Sequence, residues 1–213
     1  YIPEAFFQSG GNYNYLETSD CLKRLGLNSI DNELKLYPSL KTYFMSKGLS
    51  NDIIKSTSPT TLYSKLDNMV SYRNEIAHGG SNGSTLLSIE EIKEYIVFIK
   101  SFASSITECL NDDILSVKWS LRKCNPIKVK HYYDCLHVSE LSNGIFYIDK
   151  NKDVFCYKGA RNIPHYLFVK ITDLRINDIV IDSSEYLSLD SNDKVTIMFN
   201  EDVKKGCLLK FEE

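Results

Sequence analysis

The chain has 213 residues, with 25 Lys and Arg against 28 Asp and Glu, a formal net charge of −3. That balance excludes nucleic-acid binding driven by overall charge, so any such contact has to come from a local patch. An apolar content of 43% supports a sizeable core, in one large domain or two small ones.

No signal peptide and no apolar run long enough to span a bilayer is present, so no membrane partner is expected. The six cysteines, Cys21, Cys109, Cys124, Cys135, Cys156 and Cys207, form no C-x-x-C pair. Their scatter argues against a zinc site and against a secreted disulfide scaffold, and for reduced thiols in a cytoplasmic protein. The chain begins at Tyr1 rather than methionine, as a trimmed chain or a piece of a longer protein would.

In chain order, the first part to about Leu115 reads helical. Leu34, Leu36, Leu40, Tyr43, Phe44 and Leu49 fall roughly on one face, interrupted by Pro38 and ended by Gly48. Ser58-Pro59 is a helix start with proline in the first turn. Leu62, Leu66, Met69, Val70, Ile76 and Ala77 then recur at helical spacing, and Gly79-Gly80 is the expected stop. After a polar loop from Ser81 to Thr85, Ser88 and Glu91 form a capping box. The helix they open is expected to carry Ile92, Tyr95, Ile96, Ile99, Phe102, Ala103, Ile106 and Leu110 on one stripe.

The character changes near Asn125-Pro126. Short runs rich in β-formers then alternate with turn residues: Ile145–Ile148, Val154–Tyr157, Tyr166–Ile171, Ile179–Ile181, Val195–Phe199 and Leu208–Phe211. Leu141-Ser142-Asn143-Gly144 and Asp149 to Asp153 are the turns before the first two. The pattern predicts an α+β chain: a helical domain over residues 1–120, then a small antiparallel β barrel or sandwich over residues 121–213.

The stretch Tyr72-Arg73-Asn74-Glu75-Ile76-Ala77-His78-Gly79-Gly80 closes the second of these helices. Arg73 offers a fixed positive fork for phosphate oxygens. His78 can move a proton near neutral pH. Asn74 can hold the imidazole or a substrate. Arg73 is expected on or beside the apolar face, four residues after Met69. Asn74 and His78, four apart, are helix neighbours; Arg73 and His78, five apart, are well round the helix from one another. The same residues also have a purely structural reading: a histidine beside glycine is a common helix ending, and an arginine at a core margin often lays its stem on apolar surface.

Arg73-Asn74-Glu75-Ile76-Ala77-His78-Gly79 resembles the signature of the HEPN superfamily: Arg, four to six residues, then His, with a polar residue after the Arg. The resemblance covers roughly residues 15 to 115. It implies an antiparallel helical bundle that dimerises and brings two motifs into one cleft. It further implies a metal-independent endoribonuclease with no cofactor, in which Arg73 and His78 are catalytic and Asn74 supports them. Toxin–antitoxin and anti-phage systems are the settings it suggests, with RNA as substrate and an antitoxin or regulatory protein as a partner. The alternative is a non-catalytic HEPN module that binds RNA, nucleotide or a protein partner; a third is an adaptor in which the β domain does the work.

Two further surfaces mix basic and aromatic residues. Lys118, Arg122, Lys123, Lys128 and Lys130, with His131 and Trp119, form a stretch without acidic residues. It reads either as an RNA-backbone strip or as a solvated helix end and linker with Trp119 packing between domains. Lys152, Tyr157, Lys158, Arg161, His165, Tyr166 and Lys170 form a diffuse set in the β domain that reads as an RNA-binding barrel face or, the preferred account, as polar outer faces of half-buried strands. His131, His137 and His165 have no ligand-like spacing, and the β domain holds no recognisable acid–base pair beside an anion-binding group. It is therefore expected to select a substrate or partner, leaving the chemistry to the helices.

Overall fold

The computed structural model describes residues 14–24, 30–78, 87–142, 145–159, 164–182, 185–188 and 193–211. It divides into two compact units, Tyr1–Leu110 and Asn111–Glu213. The expected stop at Gly79-Gly80, the loop from Ser81 to Thr85 and the Asn143-Gly144 turn lie outside the described residues, as does Arg161.

The helical unit contains α1 (Tyr15–Arg24), α2 (Ile30–Leu34), α3 (Pro38–Ser46), α4 (Asn51–Ser56), α5 (Pro59–Leu62) and α6 (Ser64–Ala77). The first part of α7 (Ile89–Leu121) completes it. Local chemistry sets the starts. Pro38 occupies the first turn of α3, where its missing N–H costs nothing. Ser50 and Ser58 accept the N–H groups of Ile53 and Thr61 and so cap α4 and α5. The Ser88–Glu91 capping box is complete: the Glu91 carboxylate accepts the Ser88 N–H at 2.7 Å, and Ser88 Oγ accepts the Glu91 N–H at 3.2 Å. The Ser88 N–H and the Ser88 hydroxyl, both donated to it, hold the exposed Glu91 carboxyl below its ordinary range. Gly48, at φ +85, supplies the left-handed turn that ends the α3 segment.

The helix expected from Ser58 is broken. At Tyr63 (φ −99, ψ 9) α5 ends and α6 begins. The Tyr63 ring is buried and meets Phe102 edge-on at 5.3 Å, so tertiary burial of one aromatic fixes the offset between the two helices. Tyr43, Phe44, Leu40, Ile54, Phe98 and Phe102 fill the rest of this core. Buried polar groups tie it together. The Leu40 N–H donates to Ser105 Oγ at 2.9 Å, and Ser39 Oγ donates to Glu108 at 2.5 Å. The buried Lys35 ammonium donates to the carbonyls of Lys55 and Thr57, both at 2.8 Å, and so satisfies the end of α4.

The stripe expected on α7 is corrected in part. Phe98, Phe102, Ser105 and Cys109 face inward, while Ile92 and Ile96 are exposed and Ile99, Ile106 and Leu110 are half-buried. Both sets have helical spacing and the inward one includes the polar Ser105, so periodicity could not say which one meets the core.

In the second unit, β1 (Ile127–Tyr133), β2 (Val138–Leu141), β4 (Asp153–Gly159), β5 (Pro164–Ile176), β8 (Val195–Phe199) and β9 (Leu208–Lys210) pair in the order β4-β9-β1-β2-β8-β5. Pairing of β4 with β5 closes this into an antiparallel six-stranded barrel. β6 (Ile179–Val180) extends the β5 edge, and β3 (Ile145–Ile148) pairs separately with β7 (Glu185–Ser188). Register shifts at Val129/His131 in β1 and at Ile171/Asp173 in β5 give the bends that closure requires. Val129, Val154, Cys156, Val169, Ile197 and Leu209 fill the interior.

The residues of α7 from Asn111 onward belong to this unit. Trp119 packs within it, edge-on to Phe155 at 5.2 Å and beside Tyr157 and Tyr166. The buried Lys210 ammonium donates to the carbonyls of Trp119 (2.9 Å) and Arg122 (2.7 Å), capping the helix end as Lys35 caps α4.

Candidate active site

The motif sits at the C-terminal end of α6. Asp67 in its first turn accepts the Tyr15 N–H at 2.8 Å. Lys65 bonds Glu94 at 2.5 Å and lies over the Tyr95 ring. Tyr72 meets Tyr95 edge-on at 6.3 Å, which makes Tyr72 a packing residue. These contacts seat the first two-thirds of the helix. Leu66 is the buried residue of α6.

Beyond Tyr72 the helix runs into solvent. Asn74 is half-buried, whereas Arg73, Glu75, Ile76, Ala77 and His78 are all exposed. Arg73 does lie on the angular side of Leu66 and Met69, but it is exposed at its position. Ile76 leaves 62% of its surface open, a large apolar group beside the motif.

The backbone stays helical to Ala77, and His78 follows at φ −96, ψ 9, its N–H donating to the Asn74 carbonyl at 3.0 Å. At 3.6 residues per turn, Arg73 and His78 therefore project about 140° apart, with Cα atoms about 8–9 Å apart. Asn74 and His78 share one edge, about 40° apart. One copy thus joins the amide to the imidazole and leaves the guanidinium on another side.

The basic stretch is not one even strip. Lys118, Lys123 and Lys128 are exposed. Arg122 is half-buried and stacks over Phe155 (5.1 Å) and Phe168 (5.4 Å). Lys130 faces the Glu140 carboxylate at 3.5 Å. Among the other histidines, His131 packs on the Tyr133 ring at 4.5 Å, and His165 Nδ1 lies 3.2 Å from the buried Asp112.

His137 is different. Its Nδ1 lies 2.9 Å from Asp202 Oδ1, which also accepts the Tyr132 hydroxyl at 2.5 Å. The Tyr132 and His137 bonds hold the Asp202 carboxyl below its ordinary range. Desolvation and the neighbouring carboxylate push the Tyr132 phenol up to about 12. The sequence reading of His137 as a histidine without a functional partner did not foresee this carboxylate beside it. The sequence carried no signal for it, since Asp202 lies 65 positions from His137 and they meet only through barrel pairing.

Among the described residues no three His, Cys, Asp or Glu side chains converge as a metal site, and no helix is long and apolar enough to cross a membrane.

The helical unit that carries this motif is of the HEPN class. The family model described as RiboL-PSP-HEPN matches residues 6–112, and the chain belongs to this family. The match stops short of the barrel. No curated protein and no solved structure matches the chain.

Proposed function

We propose that the chain is a metal-independent endoribonuclease whose catalytic groups are Arg73 and His78, supported by Asn74. The family supports an RNA-related, nuclease-type role. The observation that carries the reading is the placement of Arg73, Asn74 and His78 on the solvent-exposed end of α6, where an RNA backbone has access.

The chemistry uses the properties of these side chains. A ribose 2′-oxygen attacks the adjacent phosphorus, the O2′–P bond forms and the P–O5′ bond breaks. One imidazole takes the 2′-hydroxyl proton, and a second gives a proton to the departing 5′-oxygen. The guanidinium stabilises the charge that builds on the phosphorane oxygens. The products are a 2′,3′-cyclic phosphate and a 5′-hydroxyl.

Two imidazoles and a nearby guanidinium require two copies of the motif, because a single α6 spreads Arg73 and His78 around its axis. We propose a homodimer through the helical unit with α6 near the two-fold axis. Ile76, Ile89, Ile92, Ile96 and Val97 are all exposed in one copy and give such an interface its apolar material. A toxin or anti-phage effector role, an antitoxin or regulatory protein as partner, and a cytoplasmic location belong to the same proposal and rest on the family alone.

The test is incubation of RNA with purified protein in excess chelator, with end-group analysis. Cyclic phosphate ends that disappear with His78→Ala and with Arg73→Ala support the mechanism. Cleavage abolished by chelator and restored by Mg²⁺ refutes this mechanism, and no cleavage under either condition leaves the non-catalytic reading, in which the same exposed groups hold RNA without cutting it.

A further inference from the structure

The loop between β8 and β9 is fixed at both ends and presents its lysines outward. Asn200 is held by two bonds to Lys170: its side-chain oxygen accepts the Lys170 N–H at 2.7 Å, and its own N–H donates to the Lys170 carbonyl at 3.0 Å. Val203 is buried, and its carbonyl accepts the Ser139 hydroxyl at 2.6 Å. Gly206 donates to the Val129 carbonyl at 3.0 Å, while the Cys207 carbonyl accepts the Val129 N–H at 2.9 Å. Between these anchors Lys204 and Lys205 are exposed. Gly206 at φ +91 makes the turn that follows them, a conformation a side-chain-bearing residue adopts only with strain.

A pocket of ≈ 460 Å³ opens here, lined by Lys158, Lys204, Lys205, Asp202 and Cys207 among others. Three ammonium groups therefore meet one carboxylate at its wall. That carboxylate is already engaged, since Oδ1 takes bonds from Tyr132 and His137. Lys204 lies over the Tyr132 ring at 5.9 Å, so the cation, the phenol, the carboxylate and the imidazole form one connected group. Lys158 is half-buried and faces the exposed Glu201 carboxylate at 3.6 Å, a separation too long to hold the lysine against a stronger anion.

We propose that this pocket binds a backbone phosphate of RNA, with Lys158, Lys204 and Lys205 on the phosphate oxygens and the His137–Asp202–Tyr132 group bracing its rim. The proposal takes its ligand from the nuclease reading, but it concerns binding by the barrel. Two lysines on an immobilised loop and one on strand β4 lose little order on binding, and their sequence-independent contacts suit an accessory domain that holds a strand while another site acts on it.

The test is lysine footprinting of the full chain carrying His78→Ala, so that RNA is not consumed. An amine-acylating reagent is applied with and without a short single-stranded RNA, and modification is read by mass spectrometry. RNA should protect Lys158, Lys204 and Lys205 while Lys23 and Lys41 of the helical unit stay reactive. In the same background, Lys204→Ala with Lys205→Ala should weaken RNA binding by roughly threefold to tenfold and lower the salt slope by about 0.7, the loss of one single-strand phosphate contact. Equal labelling of all three pocket lysines with and without bound RNA overturns the proposal. So does protection by inorganic phosphate at millimolar concentration but not by RNA, which reassigns the pocket to a free anion. Because the readout is binding, loss of protection and loss of cleavage are separate results.

Discussion

The separation of Arg73 from His78 on α6 has a direct consequence for mixed dimers. A general acid or base must come within about 3 Å of the proton it moves, yet the two Cα atoms are about 8–9 Å apart on diverging sides of the helix. If two copies share one cleft, an Arg73→Ala dimer keeps two imidazoles and no guanidinium. A His78→Ala dimer keeps two guanidinium groups and no imidazole. Each should lose about 10²–10⁴-fold in cleavage rate. A mixed dimer holds one intact group of each kind. Random exchange of equal amounts makes about half of the dimers mixed, so the mixture should cut at least about tenfold faster than either variant alone if one pair of groups suffices for part of the rate. The assay is a fluorogenic RNA substrate after mild unfolding and refolding of the two variants together, with mixed dimers counted by mass. Mixed dimers that form in quantity and cut no faster than the parents refute catalysis by one Arg73 and one His78 from different copies.

Ile76→Asp, placed on a residue that is 62% exposed in one copy, should leave the fold intact and lower dimer affinity and cleavage together; sedimentation velocity with parallel rate measurements checks it. Lys210→Met removes two bonds from a buried ammonium to the α7 end. Such bonds are worth about 1.5–3 kcal/mol each, offset by relief of a buried charge. A net loss of about 2 kcal/mol should lower the melting temperature by about 4–8 °C, measured by scanning calorimetry. Asp202 has a folded pKa below its ordinary 3.8. It therefore adds stability that is fully present above the unfolded value and is lost as pH falls through the folded value. Asp202→Asn should remove that increment and flatten the acid limb of the stability profile below about pH 4, leaving the neutral limb without this pH dependence.

What the sequence disclosed was local. Ser50, Ser58-Pro59 and the Ser88–Glu91 box act within one turn, and the latter two were readable from spacing alone. The motif at residues 73–78 was readable for the same reason. β1 and β2 were hidden because Ile127–Tyr133 carries Lys128, Lys130 and His131 on its outer positions, which resembles a basic strip more than a strand. β7 was hidden as well. The break at Tyr63 depends on the Phe102 ring, 39 positions on in sequence, and the α7 stripe on which of two apolar faces meets the core. The two lysine caps and the His137–Asp202 pair join residues that lie 20 or more positions apart. Hydrophobic pattern carries no information about a lone buried ammonium or an exposed carboxylate whose partner arrives through barrel pairing.

The two candidate sites differ in what they need. The motif on α6 is divided within one copy, so the proposed cleavage requires association. The lysine pocket is assembled within a single β unit, from residues that one chain supplies in full. Dilution should therefore separate the two activities. As protein falls below the dimer dissociation constant, cleavage per chain should fall with the dimer fraction, while RNA binding per chain should drop only by the avidity that two linked sites provide. Ile76→Asp should reproduce the dilute behaviour at high concentration: RNA bound, little RNA cut. Fluorescence anisotropy on a cleavage-resistant 2′-deoxy-substituted strand measures the first, and the fluorogenic substrate the second. A cleavage rate per chain that holds constant through dissociation means that one protomer carries a whole active site, and α6 must then be bent in solution so that Arg73 and His78 meet. Binding that vanishes together with the dimer means that RNA is held at the two-fold cleft and that the barrel lysines do not contribute.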